Sequence, residues 1–129
     1  MVSIVPKLQF LDLSHYSWPV DWDKLSLNKD LIAVGWKATQ GLSNVDQYYA
    51  QARKEIEDRG YLFCTYHFGD HSDPIQQVKH FLDVVQPDDK MKLALDWEDL
   101  RGNQMTRNDA ETFIQELDAR TNRLCTLFS

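Results

Sequence analysis

Two acidic side chains that follow an apolar run are the strongest candidates for chemistry in this sequence. The run Lys92–Leu95 leads directly into Asp96 and Glu98, which stand two positions apart. In a β-strand alternate side chains point to the same face, so the two residues are expected about 6–7 Å apart at the backbone. Like charges at that spacing separate the two pKa values, so one carboxyl can stay protonated while the other ionises. Acid-catalysed cleavage of a glycosidic bond requires such a pair. The alternative interpretation is an ordinary strand end that meets solvent.

Composition restricts the classes of partner. The 129 residues are 43% hydrophobic and 26% charged, which predicts one globular domain over residues 1–129. A net charge of −6 argues against a nucleic-acid partner, because binding phosphate requires a basic face. The four Trp, five Tyr and six Phe suit a core and also a cleft that stacks on sugar rings. No apolar run approaches the roughly 18 residues of a membrane span, and Met1–Lys7 lacks the apolar centre of a signal peptide.

Strand-like and helical patterns alternate along the chain. Strands are predicted at Leu8–Leu13, Leu31–Ala38, Tyr61–Phe68, Lys92–Glu98 and Arg123–Phe128. Helices are predicted after the capping Asp21, over Asp46–Arg59, from Pro74 to the residue before Pro87, and after the capping Thr106. This alternation predicts an α/β fold with a parallel sheet and right-handed crossovers.

Several polar residues fall where the predicted strands end. Active sites of parallel α/β folds lie at the carboxyl ends of the strands, and Asp12, Lys37 and His67 occupy those ends together with the acidic pair. On the second strand Ala33, Gly35, Lys37 and Thr39 are expected to share one face. A lysine among such small residues is expected to meet the carboxylates or a ligand rather than ordinary core.

Other single residues leave alternatives open. His67 is expected either to bind sugar hydroxyls or to be a hydrogen-bonded structural histidine. Trp18, in the loop after the first strand, is the best candidate for stacking on a sugar ring. His15, His67 and His71 could join the carboxylates in a metal site, but their spacing provides no helix-borne ligand pair. The sequence therefore predicts neither a metal nor another cofactor.

Five motifs follow one another along the chain. They are DLSHY at residues 12–16, VDW at 20–22, KATQG at 37–41, YHF at 66–68 and LDWE at 95–98. In this order they resemble the motifs of glycoside hydrolase family 25 lysozymes. They extend over nearly the whole chain, and the ordered set is more specific than any single motif.

The resemblance implies a substrate and a set of roles. The implied reaction is cleavage, with retention and without a metal, of the β-1,4 bond between N-acetylmuramic acid and N-acetylglucosamine in peptidoglycan. Glu98 is implied as the general acid, and Asp96 as the group that orients or stabilises the attacking 2-acetamido group. Asp12 is implied as a further carboxylate, while Lys37 and Tyr66 match positions that line the cleft. The implied place of action is the cell wall, reached by export or by phage delivery.

The chain departs from the family pattern at two points. Gln40 stands where the family often has glutamate. The family domain closes an eight-stranded (β/α) barrel, whereas this chain provides about five strands and four helices, so the resemblance implies the N-terminal part of such a barrel. A further active-site aspartate near the C-terminus of the family has no counterpart here.

An incomplete barrel would leave two strand edges open, at Leu8–Leu13 and Leu124–Phe128. Two chains could pair, the strands could flatten into an open sheet, or the sequence could be the N-terminal fragment of a longer protein. We expect a homo-oligomer that forms through these edges. Two further functional hypotheses remain: an inactive remnant or fragment that binds cell-wall glycan, and a carboxylate-rich metal hydrolase.

Overall fold

A computed structural model describes residues 9–99 and 101–128. Its strands are β1 (Gln9–Leu13), β2 (Leu31–Gln40), β3 (Asn44–Val45), β4 (Leu62–Phe68), β5 (Lys92–Asp96) and β6 (Thr126–Phe128). Its helices are α1 (Trp22–Leu25), α2 (Tyr49–Asp58), α3 (Pro74–Val85) and α4 (Arg107–Thr121), and a 3₁₀ turn spans His15–Ser17. None of the described helices has the length and apolar character needed to cross a membrane.

The strands form one sheet in the order β1-β2-β4-β5-β6, and every pair along this path is parallel. The predicted α/β class, with five parallel strands and four helices, is confirmed. The first position of the predicted first strand, Leu8, lies outside the described residues. An additional strand, β3, was not predicted from the sequence; its two residues pair antiparallel with the end of β2.

Side-chain caps fix where three of the helices begin. The carboxylate of Asp21 accepts a hydrogen bond from the backbone of Lys24 at 3.0 Å, and that of Asp73 accepts one from Gln76 at 3.0 Å. The hydroxyl of Thr106 accepts one from the backbone N–H of Asp109 at 3.1 Å. Each bond satisfies an N–H that has no partner inside its helix.

The two faces of the sheet have different surroundings. The face toward the helices carries the core, in which Trp36, Leu95, Phe81 and Phe113 are fully buried. The opposite face encloses a cavity of about 370 Å³ whose walls include Phe10 of β1 and Phe128 of β6. Because β1 and β6 are the two outermost strands of the sheet, a cavity shared by both shows that the sheet curls as part of a barrel.

An irregularity in β2 changes which residues share a face. The register with β4 shifts between Lys37 and Thr39. Lys37 lies opposite Tyr66, but Thr39 lies opposite His67, and both Thr39 and His67 are buried on the helix side. The expectation that Thr39 shares the face of Lys37 is therefore wrong, because an extra residue in a strand reverses the alternation beyond it.

Candidate active site

The acidic pair lies at the carboxyl end of β5, although the strand is shorter than predicted. It ends at Asp96 rather than at Glu98. The backbone N–H of Trp97 still donates to the carbonyl of Phe128 at 2.8 Å, so the chain stays attached to β6 for one further residue. Glu98 remains close enough to Asp96 for the two carboxyl groups to share a hydrogen bond when one is protonated.

The two carboxyl groups differ in exposure. Asp96 is only 5% exposed, and its Oδ1 has no hydrogen-bond partner among the described residues, whereas Glu98 is exposed. Burial raises the pKa of Asp96 to about 8, and the hydrogen bond and negative charge of Glu98 act in the same direction. The charge of Asp12 adds to the shift, and the ammonium of Lys37 opposes it. Asp96 therefore retains its proton near neutral pH.

Asp12 and Tyr66 meet on the concave face of the sheet, near the pair. The hydroxyl of Tyr66 donates to the carbonyl of Leu13 at 3.1 Å. Partial burial raises the pKa of Asp12, the nearby Tyr66 hydroxyl lowers it, and the charge of Glu98 raises it. Burial and the adjacent Asp12 also raise the pKa of Tyr66, so this hydroxyl stays a neutral donor.

Lys37 brings a positive charge to the same face. Its Nζ donates to Oε1 of Gln40 at 2.5 Å and lies 5.2 Å from the centroid of the Phe68 ring. Burial lowers the pKa of Lys37, while the charges of Asp46 and Asp96 raise it. The lysine is thus held by a neutral amide and an aromatic face, in the field of the acidic pair.

Trp18 lies in the loop after β1, where it packs among other aromatic rings. It stacks on Tyr48 with a centroid distance of 4.5 Å and an interplanar angle of 8°. Its edge meets Trp36 at 6.2 Å. One face of the indole is therefore already covered by Tyr48, so any sugar ring would have to use the remaining surface.

His67 does not join the other candidates, and the expectation that it binds substrate is corrected here. The ring is fully buried on the helix side of β4, where it stacks on Phe113 with a centroid distance of 5.1 Å. Its Nδ1 accepts from the hydroxyl of Thr39 at 2.6 Å, and its Nε2 donates to Oε1 of Gln77 at 2.8 Å, in the tautomer that this network favours. The hydrogen-bonded structural histidine is the arrangement that the structure shows.

The buried ring of His67 leads to a prediction for how the free energy of unfolding depends on pH. Burial lowers its pKa to about 4, so between about pH 4 and 6.5 the unfolded chain binds more protons than the folded chain. The contribution of this group to stability is therefore lost as the pH falls through that window, by up to about 3 kcal/mol. Urea unfolding at pH 4.5 and pH 7 should show a smaller pH-dependent loss in His67→Gln than in the wild type. The same substitution at the exposed His71 serves as the control, and an equal change in both variants would contradict the prediction.

Asp46 is a buried hydrogen-bonding residue whose role was not predicted from the sequence. Its fully buried carboxylate accepts hydrogen bonds from the backbone and ring nitrogens of His15, at 2.8 and 3.2 Å. It also accepts from the indole of Trp36 at 3.1 Å and the backbone of Tyr48 at 3.0 Å. These bonds tie the loop after β1 to β2 and to the start of α2. Because Asp46 is used in this way, α2 begins at Tyr49 rather than at the predicted residue.

A groove of about 740 Å³ runs past Glu98, beyond the end of β5. It lies between the loop after β4 and the loop that leads into α4. Its walls are formed by His71, Trp97, Glu98, Asp99, Gly102, Gln104, Met105, Thr106 and Arg107. Glu98 therefore stands at an open groove, whereas Asp96 is enclosed behind it. Within residues 9–99 and 101–128, no group of three or more His, Cys, Asp or Glu side chains is arranged to hold a metal ion.

Comparisons with known proteins point to one family. The sequence profile of the glycosyl hydrolases family 25 matches residues 11–129. A family 25 glycosyl hydrolase from Bacillus anthracis superposes with a TM-score of 0.81 at 20% identity, over 93% of this chain and 59% of that one. A bacterial lysozyme from Streptomyces coelicolor gives a TM-score of 0.81 at 21% identity, over 93% and 61%. A muramidase from Acremonium alcalophilum gives 0.78 at 21%, over 90% and 62%.

These solved structures establish the likeness of the fold. The chain spans about three fifths of the length of each of the three structures. A search of curated proteins found no match.

Proposed function

Because this chain belongs to the glycosyl hydrolases family 25, we propose that it hydrolyses the β-1,4 bond between N-acetylmuramic acid and N-acetylglucosamine in peptidoglycan. One observation carries the proposal: an exposed carboxyl, Glu98, stands beside a buried one, Asp96, which keeps its proton near neutral pH. Cleavage of a glycoside requires a proton at the leaving oxygen, and this pair can supply it. The proposed substrate places the action at the cell wall, whether the protein is exported or delivered by a phage.

The exposures divide the roles within the pair. Glu98 faces the groove, so its carboxyl can reach the oxygen that leaves the anomeric carbon. As that C–O bond breaks, the carbonyl oxygen of the 2-acetamido group bonds to the anomeric carbon from the opposite side. The proton moves from Asp96 to Glu98 through their shared hydrogen bond before it is given to the leaving oxygen, and the resulting Asp96 carboxylate orients this acetamido group and stabilises the positive charge that develops on it. Water then opens the intermediate with help from the carboxylate of Glu98, so the anomeric configuration is retained.

The remaining candidate residues bind the sugar or stabilise the charge of the transition state. Asp12 adds negative charge that favours the positively charged transition state. The Tyr66 hydroxyl, at the cavity on the concave face, and the Lys37 ammonium on the same face act as donors for sugar oxygens. Trp18 offers its uncovered surface to a sugar ring.

Clearing of a bacterial cell-wall suspension tests the proposed reaction. We expect turbidity to fall and new reducing ends to appear, with products that first carry the β configuration in proton NMR spectra. EDTA should leave the rate unchanged, and inhibition by EDTA would favour a metal hydrolase instead. An inverted product would contradict the role given to the acetamido group.

A second candidate function is binding of cell-wall glycan without turnover. It is favoured by the open cleft, because neither β1 nor β6 has a second strand partner within the described residues. Pull-down on purified cell walls, measured beside the clearing assay, distinguishes the two. Binding without clearing or new reducing ends would support a binding fragment.

The open edges also predict self-association. β1 and β6 end the sheet, Phe10 on β1 is 57% exposed, and Leu127 on β6 is 41% exposed. Unpaired backbone groups beside apolar side chains favour pairing of strands between chains. We expect a dimer or larger species in sedimentation at micromolar concentration. Leu127→Lys should shift the distribution toward monomer, whereas Leu124→Lys, outside the strand, should not. A wild-type chain that sediments as a monomer would contradict the prediction.

A further inference from the structure

Gln77 on α3 is a buried amide with every hydrogen-bonding position in use. Its Oε1 accepts from Nε2 of His67 at 2.8 Å and from the backbone N–H of Asp70 at 3.1 Å. Its Nε2 donates to the carbonyl of Asp70 at 3.2 Å and to that of Ser72 at 2.7 Å. The side chain is fully buried, and an amide offers two donors and two acceptor sites, so it is saturated. Three of its four partners belong to the loop between β4 and α3.

That loop is hydrogen-bonded to Asp96 of the acidic pair and to a residue that follows Glu98. The backbone N–H of Gly69 donates to the carbonyl of Asp96 at 3.0 Å. The backbone N–H of His71 donates to the carbonyl of Asn103 at 2.8 Å, in the loop that follows Glu98. The loop is thus hydrogen-bonded both to the residue that ends β5 and to Asn103, which follows Glu98 along the chain.

The loop has little room to move. A Cβ at Gly69 would come within 2.9 Å of Cε of Met105 and 3.2 Å of Cδ1 of Leu95. A Cβ at Gly41, whose φ is +60°, would collide with the carboxylate of Asp70. At the far end of the network, Thr39 of β2 holds the ring of His67. The amide of Gln77 is therefore held by His67 of β4, which is itself held by Thr39 of β2, and the amide in turn holds the loop.

We propose that Gln77 is a positioning residue, which sets the separation of Asp96 and Glu98 by holding the loop 69–72, whose backbone is hydrogen-bonded to Asp96 and to Asn103 beyond Glu98. It does not line the groove beside Glu98, so it acts through the loop and not on substrate. An apolar side chain would fill the same volume, but it would leave one N–H and two carbonyls of the loop without their buried partner. The inference rests on the proposed function for its activity measurement only.

The decisive variant is Gln77→Glu, with Gln76→Glu as its matched control. Glutamate at position 77 keeps the shape and both acceptor functions but loses the two N–H donors. Its second carboxylate oxygen then faces the carbonyl oxygens of Asp70 and Ser72 and repels them. Gln76 is exposed on the same helix, so its variant adds the same charge one residue away. We expect kcat to fall about 10–100-fold in Gln77→Glu, with KM within about threefold of the wild type, because misplacing catalytic groups by about 1 Å costs rates of this order. Gln76→Glu should match the wild type.

Two measurements do not require activity. Hydrogen exchange at the amides of Gly69 and His71 reports whether the loop is held. Carbon-13 NMR titration of labelled carboxyl groups reports the two macroscopic pKa values of the Asp96–Glu98 pair. In Gln77→Glu both amides should exchange faster, and the gap between the two pKa values should narrow as the carboxyl groups move apart.

The charged groups around the pair are unchanged in both variants. They are Asp12, Lys37, Asp46 and the ionisable hydroxyl of Tyr66. An added charge alone would shift both pKa values together, in the control as well as in Gln77→Glu. A narrowed gap in Gln77→Glu alone therefore supports positioning.

An unchanged gap between the two pKa values, together with faster hydrogen exchange at Gly69 and His71, would overturn the inference. The loop would then be less firmly held without any effect on the Asp96–Glu98 pair. Equal behaviour of the two glutamate variants would overturn it as well. If Gln77→Glu does not fold, Gln77→Asn shortens the same amide without a charge and is subject to the same expectations. A wild-type chain that clears no cell wall would contradict the proposed function, and the titration would still decide the role of Gln77.

Discussion

Replacing Glu98 with glutamine is expected to lower the rate of peptidoglycan hydrolysis by about 10²–10⁴-fold while binding of the glycan stays close to that of the wild type. The amide keeps the size and exposure of the side chain at the groove, but it cannot give a proton to the leaving oxygen. Release of reducing ends measures the rate, and pull-down on purified cell walls measures binding.

The control for this prediction is the same substitution on an exposed part of helix α4. Glu111→Gln removes only an exposed ion pair with Arg107, at 3.3 Å, so its rate should equal that of the wild type. A Glu98→Gln variant with a near-normal rate would remove Glu98 from the role of acid. Loss of binding together with rate would instead indicate that the glutamate holds the substrate.

The positions of most candidate site residues could be anticipated from sequence because local rules determine on which face and at which end of a strand they lie. The alternation of side chains in a strand identified the face that carries Asp96, and parallel topology placed Asp12 and Lys37 near it. Each inference needed only the period of a strand and the common direction of neighbouring strands. The structure accordingly places Asp12, Lys37, Tyr66, Asp96 and Glu98 on or beside the concave face of the sheet.

The interpretations that failed depend on contacts between distant residues. His67 follows Tyr66 directly, so it lies on the opposite face of β4, toward the helices. The register shift in β2 then places Thr39 beside His67, and no local pattern in the sequence predicts a strand irregularity of this kind.

Asp46 and Gln77 show the same limit for buried polar groups. As an acidic residue ahead of a helical pattern, Asp46 is typical of a cap, yet its partners His15 and Trp36 are 31 and 10 positions away. A glutamine on a helix is usually exposed, and the ring of His67 together with the backbone of the loop after β4 explains why Gln77 is buried. Such groups become identifiable once the fold fixes which backbone atoms need partners.

Replacing Asp96 with asparagine is expected to abolish turnover and yet stabilise the fold at pH 8, by about 1–3 kcal/mol. Asp96 is enclosed, its Oδ1 has no partner among the described residues, and the charges of Glu98 and Asp12 repel its ionised form. The asparagine amide has nearly the same shape and carries no charge, so it avoids both the desolvation and the repulsion. The lost attraction to Lys37 is the smallest of these effects and reduces the gain without reversing it.

The pH dependence gives this prediction its sign. Because the folded pKa of Asp96 lies above the unfolded value of about 3.9, the folded chain binds more protons between about pH 4 and 8, and its stability falls as the pH rises through that window. Urea unfolding should therefore show little difference between Asp96→Asn and the wild type at pH 4.5 and the greatest gain at pH 8. The buried His67 is common to both chains, so its opposite pH dependence cancels in the comparison. Asp83→Asn, an exposed substitution on α3, should change stability at neither pH. An Asp96→Asn chain less stable than the wild type at pH 8 would show that Lys37 outweighs burial, and that Asp96 is held in the folded protein as a charge rather than as part of a protonated pair.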